Sequence, residues 1–436
     1  MPSKNDSAWN KVFAELNFLE RITAEGYVNV SAVTLKEVGG REPRLMAKQD
    51  TLESRPEIFR RNHLSILPTT NGEYVIFKDP HKRSYFSFDS GSSPTPVERH
   101  ASESLADSIE TLNLGTISSE FQAIDYAHIV SVLKSFTGET NLRLTIRGKS
   151  RSGSFQVTLP DGPTITIDGV QIEIDSGYEG SRGIYLIEAK LGKREDFHIR
   201  QLFFPWKEWS QKARKPIIPI FFTFSNGLFY LFQFRFGEQY GDMEIIKTKC
   251  YSVDEDPVLT IQFDVLIQAI SVDAIEPDFV PFPQANDLDK IIDLVVSFND
   301  ELNTKEGIAE YFEFDERQGD YYANAAIYLG FLDRGEGNSQ FSLTELGKEL
   351  KRCRTRRCRN RILFNQLLKR PTFRRSIEIL RDSYFDVNAI RIEEIADIIR
   401  QFDSRYNEVT RRRRASTVKT WLKWITTNIK FESHKE

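Results

Sequence analysis

Residues 185–192 read YLIEAKLG, and this run limits the fold more than any other stretch. Strand side chains alternate between two faces, so Glu188 and Lys190 share one face and Tyr185, Ile187 and Ala189 the other. Charges inside so apolar a run are costly unless each finds a partner. Upstream, residues 164–175 read TITIDGVQIEID, two alternating runs around Asp168-Gly169. Asp-Gly between alternating runs predicts a hairpin. In the second run Glu173 and Asp175 share a face, with Val170, Ile172 and Ile174 opposite. Two neighbouring strands of this kind can direct Asp175, Glu188 and Lys190 at one spot. A slip of two residues in register exchanges Asp175 for Glu173, so both stay candidates. Asp168 is assigned to the turn. A divalent cation would satisfy both carboxylates at once, and hard oxygen donors suit Mg2+, which keeps several of its waters.

The surrounding pattern mixes strands and helices, which predicts a multi-domain α+β chain. A helix is expected near residues 7–25. A strand pair around LSILPTTNGEYVIF should turn at Asn71-Gly72. The Ser/Pro-rich stretch 89–106 reads as a linker. A helix over EDFHIRQLFFPWKEW should follow the YLIEAKLG strand. Then PIIPIFFTF and LFYLFQFRF form an apolar strand pair across Ser225-Asn226-Gly227. Three prolines within 276–287 mark a second break. Beyond it the pattern is helical, with helices near 288–300, 304–312 and 316–332, a short β element at GEGNSQFSL, and later helices at IEEIADIIRQF and from Val409 to Ile425. Three helices and a small β element are a winged-helix pattern. The domains expected are 1–105, 106–280 and 281–436, the last as two units, 281–352 and 353–436.

Charge separates these regions. Residues 351–436 hold 23 Lys and Arg against 10 Asp and Glu, a net +13, and the preceding 350 carry −17. A basic tail domain points to a polyanion such as nucleic acid. No apolar run approaches the roughly 18 residues needed to cross a bilayer. The N-terminal MPSKNDSAWNKV lacks the apolar core of a secretory signal. Three cysteines give no disulfide framework, so a cytoplasmic location is expected, with Cys353 and Cys358 as free thiols.

An acid, 12 intervening residues and then Glu-Ala-Lys on an apolar strand resembles the PD-(D/E)xK nuclease core. The resemblance implies metal-binding roles for Asp175 and Glu188 and a water-activating or positioning role for Lys190. The leading Pro of the pattern is absent, since Ile174 precedes Asp175. Two more residues fit the family. Glu120 opens the helix in SSEFQAIDYAHIVSVL and matches an additional metal-binding Glu, although an acid there also favours the first turn of a helix. Gln201, within HIRQLFF, matches a Gln placed near the metal or DNA, and equally fits a solvated helix residue. His198 reads as structural or DNA-facing.

The segments FEFDERQGDYYANAAIYLGFL, FSLTELGKEL and TRRRRASTVKTWLKWI resemble C-terminal winged-helix units of Type II restriction endonucleases, and REPRLMAKQDTLESRPEIFRRNHLSILP also resembles that group. The resemblance implies a sequence-specific endonuclease that hydrolyses double-stranded DNA with Mg2+, acts as a homodimer or by sequential nicking, and has a cognate DNA methyltransferase. A modification-dependent or repair nuclease and a non-enzymatic winged-helix regulator are the alternatives. Arg317, Gln318, Tyr321 and Tyr322 are the candidate base readers of the first unit, because Gln can pair with adenine and Arg with guanine. The tyrosines fit core or phosphate contacts as well. In the second unit Arg411, Arg412, Arg413 and Arg414 read as a phosphate clamp, with Lys419 further along, while Trp421, Leu422 and Ile425 should face the core.

Overall fold

A computed structural model describes residues 3–88, 95–102, 109–160, 162–335 and 340–432. The chain is α+β, with a mixed seven-stranded sheet among many helices. The strand order is Val97–His100, Met243–Val253, Leu228–Phe236, Ile217–Ser225, Ile184–Leu191, Gln171–Glu179 and Arg143–Arg151. Strands 217–225 and 228–236 arise from IIPIFFTFS and LFYLFQFRF, rich in the aromatic and β-branched residues that suit a pleated, buried surface. Asn226 and Gly227 join them with φ of 43° and 78°, the positive pair a tight hairpin turn requires. Part of the stretch read as a linker is in fact strand 97–100. Of the rest, residues 89–94 and 103–106 lie outside the described residues.

The chain divides into two compact units, the first gathering residues 1–96, 131–223 and 229–250. Its N-terminal part packs Trp9, Phe13 and Phe18 on Phe59, Leu64 and Ile76. The expected strand pair is present as Leu64–Thr70 with Glu73–Lys78, and Tyr27–Ser31 completes a three-stranded sheet. The helix expected over 7–25 is two helices, Lys4–Glu15 and Phe18–Glu25, because Asn17 adopts a left-handed φ of 51° between them. The segment expected to be wholly helical after YLIEAKLG begins as strand Asp196–His198, paired with Tyr85–Ser87, before helix Arg200–Lys212.

The hairpin expected around Asp168-Gly169 does not form. Strand Thr164–Ile167 pairs with Phe155–Thr158, whereas Gln171–Glu179 lies in the large sheet between 143–151 and 184–191. The Asp168 N–H donates to the Thr69 carbonyl, and Gly169 has φ of 62°, so the turn passes the chain from one sheet to another.

The hairpin that does form joins strand 171–179 to strand 184–191, and Glu139 clamps its tip. This carboxylate accepts bonds from the Ser181 hydroxyl (2.7 Å), the Arg182 N–H (2.8 Å), the Ser181 N–H (3.1 Å) and the Tyr185 hydroxyl (3.1 Å). It also fills the space beside Gly180, where an added Cβ would meet the Glu139 carboxyl carbon at 2.5 Å. The Ser181 hydroxyl and the two N–H donors hold the Glu139 carboxyl down at about 2.

The second unit gathers residues 97–130, 224–228 and 251–436. Its core joins Leu288, Ile291, Ile308, Phe331, Leu363, Phe373, Ile395 and Trp421. Helix Ile392–Phe402 is amphipathic, burying Ile395, Ile398 and Ile399 on one side. Strand Leu259–Gln262 pairs in parallel with Ile429–Glu432. Within the second unit, Phe431 of the later strand stacks on Phe385 at 4.3 Å. Cys353 and Cys358 are joined as a disulfide, not free. Cys353 ends helix Glu345–Arg352 and Cys358 lies in the first turn of Arg356–Lys369, which leaves their Cα atoms 5.8 Å apart. Among the described residues, no helix is long and apolar enough to cross a membrane.

Because the folded Glu139 carboxyl sits below its ordinary value, its stabilisation is complete above about pH 4.5 and is lost as pH falls toward 2. Glu139→Gln should therefore destabilise the protein most near neutral pH, and its deficit should shrink between about pH 5 and pH 3. Urea unfolding at stepped pH reads this difference directly.

Candidate functional site

Strand Ile184–Leu191 is buried along its whole length. It pairs antiparallel with Gln171–Glu179 from Ile184↔Glu179 to Ile187↔Ser176. Glu188 and Asp175 are the next residues on the two strands. The Ala189 N–H donates to Asp175 Oδ2 at 2.8 Å, so a side-chain carboxylate satisfies a backbone donor of the neighbouring strand. Lys190 Nζ donates to Glu188 Oε1 at 2.7 Å. Asp175, Glu188 and Lys190 are only 6%, 7% and 7% exposed.

An irregularity on the other side of strand 171–179 sets the position of Asp175. On the edge strand Arg143–Arg151, Ile146 stands opposite Gly177 and Gly148 opposite Ile174. Two steps on one strand thus face three on the other, and the extra residue falls at Asp175–Ser176. A bulge of this kind bends the strand and re-aims a side chain. Arg147 ties it down. Its Nε donates to the Asp175 carbonyl (3.1 Å) and to Ser176 Oγ (3.2 Å), and its Nη2 to Ser176 Oγ (2.8 Å). Ile174, Ile184 and Leu186 form an apolar cluster with Trp206 and Trp209 of helix 200–212.

Burial pushes the Asp175 carboxyl up, opposed by the Lys190 charge and the Ala189 N–H, reinforced by Glu173 and opposed again by Arg147. Two buried carboxylates offering only oxygen suit Mg2+, which takes one or two protein carboxylates and retains waters. Among the described residues, no group of three or more His, Cys, Asp and Glu side chains forms a ready metal cage.

The remaining candidates fall in different places. Glu173 stands opposite Lys149, about half exposed, and pairs with it at 3.6 Å, while Asp175 is the acid that reaches the Ala189 N–H. Gln201 is in the first turn of helix 200–212, which packs on strands 171–179 and 184–191, and its Oε1 is buried without a hydrogen-bond partner. Glu120 is the first residue of helix Glu120–Ile129, which belongs to the second unit. His198 is a core residue, 1% exposed against the Tyr85 ring, and burial pushes its pKa well down.

In the second unit, Arg317 is exposed at the start of helix Glu316–Tyr328, and Gln318 and Tyr321 are half-buried. Tyr322 takes the core reading rather than the DNA-contacting one: it is buried, stacked on Phe314 and Phe312, because helical phase turns it inward. The four-arginine run divides in the same way. Arg412 and Arg413 are exposed, Arg412 pairing with Glu408 at 3.3 Å. Arg411 donates to the Tyr406 carbonyl (2.5 Å) and Lys419 to the Ile390 carbonyl (2.7 Å). Arg414 corrects the clamp, being 5% exposed with its guanidinium over the Tyr406 ring. Trp421, Leu422 and Ile425 are buried as expected. Arg147 and Glu139 were not singled out from sequence, since neither the bulge nor the hairpin tip has a local signature.

The Lys190–Glu188 pair is buried on both sides. Removing one partner strands the other charge, so Lys190→Ala should cost about 3–5 kcal/mol. The isosteric double change Glu188→Gln with Lys190→Met should recover most of that loss. Denaturant midpoints of the three proteins check both expectations.

Three family models match the chain, each described as a domain of unknown function: DUF6996 over residues 6–76, DUF6997 over residues 81–252 and DUF7226 over residues 290–430. The central match includes Asp175, Glu188 and Lys190. No curated protein and no solved structure matches the chain.

Proposed function

We propose that this protein is a Mg2+-dependent endonuclease of double-stranded DNA, a Type II site-specific deoxyribonuclease built on a PD-(D/E)xK core. The observation that carries the reading is the gathering of Asp175, Glu188 and Lys190 where two buried antiparallel strands stop pairing. Asp175 and Glu188 are the residues that would hold the cation. When bound, Mg2+ supplies Lewis-acid polarisation of a phosphodiester and an acidified water. Asp175 is oriented for this by the Ala189 N–H and by the Arg147 anchor on its own carbonyl. Lys190, already fixed on Glu188, offsets negative charge developing on the phosphate. The buried Oε1 of Gln201 would offer a further oxygen ligand, and Glu173 is the second-rank acid.

The DNA-reading role belongs to the second unit. Helices Lys305–Phe312 and Glu316–Tyr328, the hairpin Leu332–Arg334 with Phe341–Leu343, and helix Glu345–Arg352 support a winged-helix reading. Arg317 and Gln318 would approach base edges, while Arg412 and Arg413 would hold phosphates. Cutting both strands would need a homodimer or two successive nicks, and a cognate methyltransferase would protect host DNA.

The test is digestion of methylated and unmethylated plasmid DNA with Mg2+, with EDTA as control, by wild type, Glu188→Ala and Lys190→Ala. Wild type should linearise or nick the plasmid, and each variant should lose roughly 10²–10³-fold in rate or more. Cleavage that survives both substitutions, or that proceeds in EDTA, overturns the assignment.

A further inference from the structure

We infer that the edge strand Arg143–Arg151 is a phosphate track that seats one backbone of duplex DNA beside Asp175, Glu188 and Lys190, an inference that rests on the nuclease reading above. The strand carries four basic residues and no acid over nine positions, RLTIRGKSR. It does so within a body of 350 residues whose net charge is −17. Arg143, Arg147, Lys149 and Arg151 are all exposed. The strand ends the sheet, so among the described residues its outer flank has no strand neighbour.

The placement relative to the candidate site is specific. Lys149 stands opposite Glu173 and Arg151 opposite Gln171, and the Glu173 charge reaches Asp175. Arg147 is bonded to the Asp175 carbonyl and to Ser176, and its charge also acts on the Asp175 carboxyl. The basic row therefore runs from the bulge that aims Asp175 outward along the sheet edge. Both partners of the Lys149–Glu173 pair are about half exposed, and a surface pair at 3.6 Å is worth little, so Lys149 can exchange Glu173 for a phosphate at small cost. Nucleic acid is the occupant this charge pattern fits, since phosphate neutralisation supplies most sequence-independent affinity. The competing role for charges on a sheet edge is to block strand addition by another chain. The two roles separate in one experiment.

Binding of a duplex of about 30 base pairs is measured by fluorescence anisotropy in EDTA across about 50–300 mM salt. The proteins compared are wild type, Lys149→Gln/Arg151→Gln, and the triple variant that adds Arg147→Gln. The double variant leaves the hydrogen bonds at the bulge untouched, so the carboxylate site keeps its geometry. Each lost phosphate contact removes about 0.9 from the slope of log K against log salt, so the double variant should lose about 2 in slope and roughly 10–100-fold in affinity near 0.1 M salt. Its cleavage rate with Mg2+ at saturating DNA should stay within a few-fold of wild type. If wild type binds and cleaves while the double variant keeps its affinity and salt slope, the track is overturned and the nuclease reading stands. Self-association of the variants by light scattering, with DNA affinity unchanged, assigns the charges to edge protection and equally overturns the track. If wild type neither binds nor cleaves DNA, the nuclease reading falls and the track with it.

Discussion

The buried pair of Lys190 and Glu188 is the interaction on which the rest of the first unit turns. A strand buried at every position cannot carry two charges unless each is compensated within reach. The pair compensates itself at 2.7 Å, and its ammonium also moderates the neighbouring Asp175. Replacing such a pair by apolar residues is often neutral or favourable for stability. A pair that folding does not require is the support the proposed endonuclease reading draws from this strand.

The supports around that pair follow one logic. Glu139 fixes the tip of the hairpin that joins the two strands, and Arg147 fixes the bulge near its other end. Helix 200–212 packs on the strands through Trp206 and Trp209. Each support bonds backbone or fills a space that a side chain would otherwise occupy. Asp175 is consequently held from three directions, through its carboxylate, its carbonyl and its strand. A carboxyl so constrained cannot relax away from the low-dielectric surroundings that raise its proton affinity.

Much of this was legible in the sequence, and the omissions share a cause. Alternation in IYLIEAKL located the strand and its charges because a period of two is local. The neighbouring strand at VQIEID was found for the same reason. The supposed hairpin at Asp168-Gly169 was misplaced because a turn signal says where the chain bends, not which sheet it then joins. The choice between Glu173 and Asp175 depends on an extra residue in one strand, which only the pairing with Ile146 and Gly148 reveals. Arg414 was read as a phosphate contact from residue type, whereas helical phase set its burial, and the same phase decided between the two readings left open for Tyr322. The cysteine bridge depends on how one helix ends and the next begins, a geometry that CRTRRC does not encode by itself.

The parallel pairing of Leu259–Gln262 with Ile429–Glu432 has a consequence for how the chain is made. An element near the start of the helical region waits for one near its end, so the loop between them must close before either strand is satisfied. Loop closure over so long a separation is slow, and the later strand leaves the ribosome well after the earlier one. The second unit therefore acquires its final strand only when synthesis has passed residue 432. The strands that carry Asp175, Glu188 and Lys190 are by then long since synthesised, so the first unit can close around its buried charge pair while the second still lacks a partner for Leu259–Gln262.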